Sequence, residues 1–146
     1  MHDIVEKWLA DALTSDEPPL TEFRAREIES ALSMRLPEEL LYILTTAGGA
    51  AGFVGQSYIS FVNGGELLGW RREVDQYAPG FFPFATNGGG EYYGLDSRCQ
   101  SPAYVILPAI GMNWGDAWLL GASWSEFWET LEQGDLFRRK YCAAKR

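Results

Sequence analysis

Histidine is almost missing from this chain. The one copy, His2, stands at the N-terminus, where chains commonly fray. Its scarcity removes most histidine-based acid–base chemistry and any histidine-rich metal site. Cysteine is nearly as scarce. Cys99 and Cys142 are too few for a disulfide scaffold, and neither has a histidine partner for nucleophilic chemistry. No apolar run approaches the ~20 residues of a membrane span. The segment Met1-His2-Asp3-Ile4-Val5-Glu6-Lys7 lacks the basic region and apolar core of a secretory signal. These absences lead to the expectation of a cytoplasmic protein with two free thiols. Positive charge is also short: 12 Lys and Arg stand against 20 Asp and Glu, a net charge of −8 with a pI of about 4.6. That deficit argues against direct nucleic-acid binding and against an anionic membrane surface. It favours a basic protein partner.

What is present is globular in character. The 146 residues are 47% hydrophobic and 14% aromatic, enough for one domain that buries roughly 68–70% of its unfolded surface. The charge is unevenly spread. Arg138, Arg139, Lys140, Lys145 and Arg146 fall in the last nine positions, which hold no acid, so residues 1–137 carry 20 acids and 7 bases. The basic end reads as a solvated helix end, or as a segment folding back on the acidic body.

Glycine divides the chain. None occurs before Gly48, and fifteen of the sixteen lie between Gly48 and Gly121. Glycine suits turns and bulges and disfavours helix interiors. The expected order is therefore helices, a strand-rich middle, then a helix, an α+β arrangement. Apolar spacing predicts a first helix over 3–13. A second runs from an N-cap at Thr21 to about Met34, with Ala25, Ile28, Ala31 and Leu32 inward. A third opens at Pro37, where a missing N–H costs nothing, buries Leu40, Leu41, Leu44 and Ala47, and stops at Gly48-Gly49. Strands are expected over 58–62, 81–85, 91–95, 103–107 and 116–120. A fourth helix over 64–77 is capped by Asn63, with Leu67, Leu68 and Val74 inward. Ser123 and Glu126 form a capping box for a last helix whose apolar face is Trp124, Phe127, Trp128 and Leu131.

Local features that suggest chemistry have simpler readings. Gly88-Gly89-Gly90 is followed by Glu91-Tyr92-Tyr93, strand-like and acidic, whereas a phosphate cradle needs a helix N-terminus there. The stretch is expected to be a hairpin turn. Glu91 and Asp96 are five residues apart, on opposite faces of an ideal strand, so they do not make a catalytic pair. No cofactor, metal or catalytic residue is expected. Of the six tryptophans, Trp8, Trp124 and Trp128 lie on helical stripes, but Trp70 and Trp114 do not. Trp114, in a glycine-rich connection, is either an exposed interface anchor or a ring folded over the sheet.

The ordered set of local signatures resembles the SUKH superfamily, which includes the yeast cell-wall assembly regulator and many bacterial immunity proteins. Its carriers are Ala31-Leu32-Ser33-Met34-Arg35-Leu36-Pro37-Glu38-Glu39-Leu40 followed by Gly48-Gly49, the run Phe82-Pro83-Phe84-Ala85-Thr86-Asn87-Gly88-Gly89-Gly90-Glu91-Tyr92-Tyr93-Gly94-Leu95-Asp96, and Ala122-Ser123-Trp124-Ser125-Glu126-Phe127. The resemblance spans about residues 21–132, leaving 133–146 as a basic extension. It implies a single α+β domain: N-terminal helices, a mostly antiparallel sheet of about four to six strands, and a C-terminal helix packed on it. It implies no common catalytic site. The expected function is non-catalytic binding, as an immunity protein that occludes a basic nuclease-type toxin domain. A regulatory or scaffold module for an endogenous protein is the alternative. Expected loop and edge positions make Asp75, Glu91, Tyr92, Asp96, Asn113, Trp114 and Asp116 the candidate partner contacts.

Overall fold

A computed structural model describes residues 6–9, 13, 18–98 and 103–141. His2, Cys99, Cys142, residues 3–5 and 10–12 of the expected first helix and the terminal bases Lys145 and Arg146 lie outside the described residues. Residues 6–9 are helical. They are followed by α1 (Glu22–Leu32) and α2 (Glu38–Ala47), then strands β1 (Ala51–Val54) and β2 (Ser57–Phe61). Next come α3 (Leu67–Asp75), β3 (Phe81–Thr86), β4 (Glu91–Asp96), β5 (Tyr104–Pro108), β6 (Trp118–Gly121), α4 (Trp124–Gln133) and β7 (Arg139–Lys140). All seven strands form one antiparallel sheet, in the spatial order β1 to β7.

The α+β reading holds, with more strands than expected. β1 was hidden in the glycine-rich run after Gly48. Its turn into β2 is Gly55-Gln56, with Gly55 at φ +58°, a two-residue hairpin connection. β7 replaces the expected helix end with a short sheet edge, Arg139 opposite Leu119 and Lys140 opposite Trp118. Residues 114–116 form a 3-10 turn, so Asp116 precedes the strand rather than beginning it.

The helix signals are met with local adjustments. Thr21 Oγ1 accepts from the Arg24 N–H at 3.1 Å, and Gly48 ends α2 at φ +75° with its N–H on the Leu44 carbonyl. α1 stops sooner than its apolar stripe suggested. Ser33 turns the chain at φ +56°, which leaves Ala31 exposed and Leu32 half-buried. A left-handed residue with a β-carbon is strained. Ser33→Gly is therefore expected to stabilise the protein by about 0.5–1 kcal/mol in urea melts. In α2 the buried face is Leu40, Ile43 and Leu44, with Leu41 and Ala47 half-buried. Residues 64–66 form a 3-10 turn before α3. Asn63 does not cap it through Oδ1, but donates through Nδ2 to Glu66 Oε1 at 2.9 Å. At α4 the Glu126 N–H donates to Ser123 Oγ, while the Glu126 carboxylate accepts from the Ala122 N–H rather than from Ser123's.

Strand alternation gives the sheet two different faces. Phe82, Phe84, Tyr93, Tyr104, Ile106 and Leu120 join the helices in the larger core. There Trp124 and Trp128 stack at 5.2 Å, and Phe127 meets Phe84 edge-on at 5.8 Å. On the other face, Phe53 pairs with Tyr58, Thr86 with Ser60 and Tyr92, and Tyr92 with Leu107. Part of that face is covered by a smaller core of Val74, Phe81, Val105, Leu107, Met112 and Tyr141.

Candidate interaction surface

Five of the expected contact residues converge where β4 ends. Asp96 is buried there, with no exposed side-chain surface. Its carboxylate accepts from Arg98 Nε at 2.9 Å and Nη2 at 3.0 Å, from the Arg98 N–H, and from the Tyr141 hydroxyl at 2.6 Å. Burial pushes the Asp96 carboxyl up. The hydrogen bonds from Arg98 and Tyr141, the Arg98 backbone N–H and the Arg98 charge outweigh this and hold it below its ordinary value. Asp96 is thus a structural anchor, and its placement among surface contacts is corrected: it lies on the same strand face as Tyr92, but Arg98 and Tyr141 close over it.

Trp114 is half-buried. Of its two readings, the folded ring holds. One face takes the Arg98 guanidinium at 3.9 Å, its edge meets Phe81 at 5.7 Å, and Nε1 donates to the Pro79 carbonyl at 2.8 Å. Asp75 secures the same turn, its Oδ1 accepting from the Gly80 N–H at 3.0 Å. Beside Trp114, Asn113 donates to Asp116 Oδ2 at 2.8 Å. Asp75, Asn113 and Asp116 remain exposed. Arg98 and Tyr141, which knit this corner together, had no local signature in the sequence.

Glu91 and Tyr92 stand apart, at the other end of β4. Asn87 Nδ2 donates to the Glu91 carboxylate at 2.7 Å, and Asn87 Oδ1 accepts the N–H groups of Gly89 and Glu91. The glycine turn is therefore a hairpin braced by Asn87. Tyr92 meets Trp70 at 4.9 Å between ring centres, which accounts for a tryptophan that fell on no helical stripe. Partial burial, then the Glu73 carboxylate, raise the Tyr92 pKa above its ordinary value. Two further aromatics extend this end of the face: Phe53 is 58% exposed and lies edge-on to Tyr58 at 5.4 Å. Tyr58 opens a strand that the sequence announces, whereas Phe53 could have been found only by recognising β1.

Among the described residues no group of three or more His, Cys, Asp or Glu is placed to hold a metal ion. No described helix is long and apolar enough to cross a membrane. A groove of about 720 Å³ between α1 and α2 has mixed lining, with Arg26 and Arg35 beside Glu22 and Glu29.

Helices packed on one antiparallel seven-stranded meander, with a knitted polar corner and a partly open aromatic end, define a single α+β domain. The family model of the SMI1/KNR4 family (SUKH-1) matches residues 19–133. The chain belongs to that family. A search of curated proteins finds no match.

Proposed function

We propose that this protein is a cytoplasmic, non-catalytic immunity protein that neutralises a cognate toxin by stoichiometric binding through an acidic surface. Membership of the SMI1/KNR4 (SUKH-1) family carries the reading. The charge of the body supports it: residues 1–137 hold 20 acids and 7 bases. A nuclease toxin must attract a polyanionic substrate, so its active-site region is basic. Opposite fields then speed encounter and aid selection.

The test is co-expression with a toxin domain encoded beside the gene. Growth should be restored, and the two proteins should elute together at one-to-one stoichiometry. Raising salt from about 0.05 to 0.5 M should slow association at least tenfold. Toxicity unchanged by co-expression would sink the immunity role.

A further inference from the structure

The aromatic end of the sheet carries a pattern that the composition alone does not reveal. Its members come from four separate elements: Phe53 from β1, Tyr58 from β2, Trp70 from α3 and Tyr92 from β4. Phe53 is 58% exposed, and the other three are partly exposed. All four rings are held before any partner arrives. Phe53 lies against Tyr58, Tyr92 lies against Trp70, and Gly88 approaches Tyr58 so closely that an added β-carbon would come within 3.2 Å of the ring. Rings fixed in advance lose little entropy on binding, which is what an interface anchor requires.

Two acids stand beside these rings, Glu73 and Glu91, while Asp75 and Asp96 belong to the far end of β4. The nearby bases are Arg71 and Arg72. Both arginines line the groove between α3 and α1, together with Ala31 and Leu32. Arg71 is further engaged with Asp75 at 3.9 Å and with Ser97 at 3.3 Å. Glu73 is exposed and stands three residues after Trp70 on α3, on the same side of the helix. Glu91, braced by Asn87, stands at the hairpin end. The bases of β7 are at the opposite edge of the sheet from β1.

We infer that the half-open sheet face formed by Phe53, Tyr58, Trp70 and Tyr92, rimmed by Glu73, is the docking surface for an arginine- or lysine-bearing segment of a protein partner. The cationic heads lie over ring faces, which attract them electrostatically, while the carboxylate rim pairs with them and repels acidic competitors. This rests on the binding reading above, and it names the surface that performs it.

The probe is a synthetic peptide of four Gly-Arg repeats, with four Gly-Glu repeats as control, titrated into the full chain and followed by amide and indole NMR. Shifts should centre on Phe53, Tyr58, Tyr92 and the Trp70 indole, with none from the acidic peptide. Phe53→Ser and Glu73→Lys change exposed positions, and each should weaken binding about tenfold while leaving the circular dichroism unchanged. If Phe53→Ser disturbs the fold, Glu73→Lys alone decides. Shifts centred on α2 or α4, equal binding of the acidic peptide, or no binding overturns the inference. So does a dimer in sedimentation that Phe53→Ser dissociates, because a second copy would then own the face. In the co-expression assay, rescue by wild type that the double variant fully retains defeats this surface and leaves the immunity role standing. Failure of wild type to rescue defeats the role, while the peptide titration still decides the surface.

Discussion

Replacing Asp96 by alanine is expected to cost about 3 kcal/mol of stability, measured by urea unfolding at pH 7. Breaking a buried ion pair by removing one member leaves its partners with unmet polar groups. Here the change would strip the Tyr141 hydroxyl of its 2.6 Å bond and Arg98 of both side-chain contacts with the carboxylate. Arg98 keeps access to water and its place over Trp114, which sets the expectation at the low end for such pairs. Tyr141→Phe removes the hydroxyl's bond to Asp96 and should cost about 1–1.5 kcal/mol. Acid supplies a second signature. The folded-state value of Asp96 is lowered, so its stabilisation is complete above the unfolded value and is lost as pH falls through the folded one. The gap between wild type and Asp96→Asn should therefore hold steady at pH 6–7 and narrow below about pH 4. A gap that widens on acidification would contradict the assigned ion pair.

Gly94→Ala is expected to be comparably severe, about 3 kcal/mol or more. This glycine is not needed for an unusual backbone angle. It is needed because β3 and the Phe81 ring close over it. A β-carbon there would lie within 2.6 Å of the Phe81 ring edge, and closer still to the Phe82 carbonyl oxygen. A carbonyl in a strand cannot rotate away as a flexible side chain can. The register shift between Pro83 and Ala85 is part of the same close approach. Thermal unfolding checks it: a fall in Tm of less than about 4 °C, as for a mild surface change, would show that the strands can separate without loss of packing.

The sequence was most legible where local chemistry and periodicity agree. Thr21, Gly48, Ser123 and the face of Trp124, Phe127, Trp128 and Leu131 each announce an element through its own residues, and each performs that role. β1 was hidden because its four residues, Ala51-Gly52-Phe53-Val54, bury only Val54. An edge strand with little burial gives weak alternation. β7 was hidden because two arginine- and lysine-bearing residues take strand form only through their pairing with β6, a long-range contact that composition cannot express. The candidate site divides along the same line. Asp75, Asn113 and Asp116 do lie exposed, as turn positions suggest. Asp96 reads as one more acid until Arg98 and Tyr141 are seen on it.

The meander order of the sheet also governs how the chain can assemble. Every strand pairs with the strand before it in sequence, so each new hairpin can zip onto a finished template while the rest of the chain is still being made. The closing contacts reach further back: the Tyr141 hydroxyl meets Asp96, 45 residues earlier, and the Gln56 N–H donates to the Glu132 carbonyl at 3.3 Å. During synthesis Asp96 must wait with Arg98 as its chief support until residue 141 arrives. Contacts of this kind, which also include Phe61 stacked on Trp128, form only after α4 and β7 have been added, so they separate the completed sheet from its growing meander.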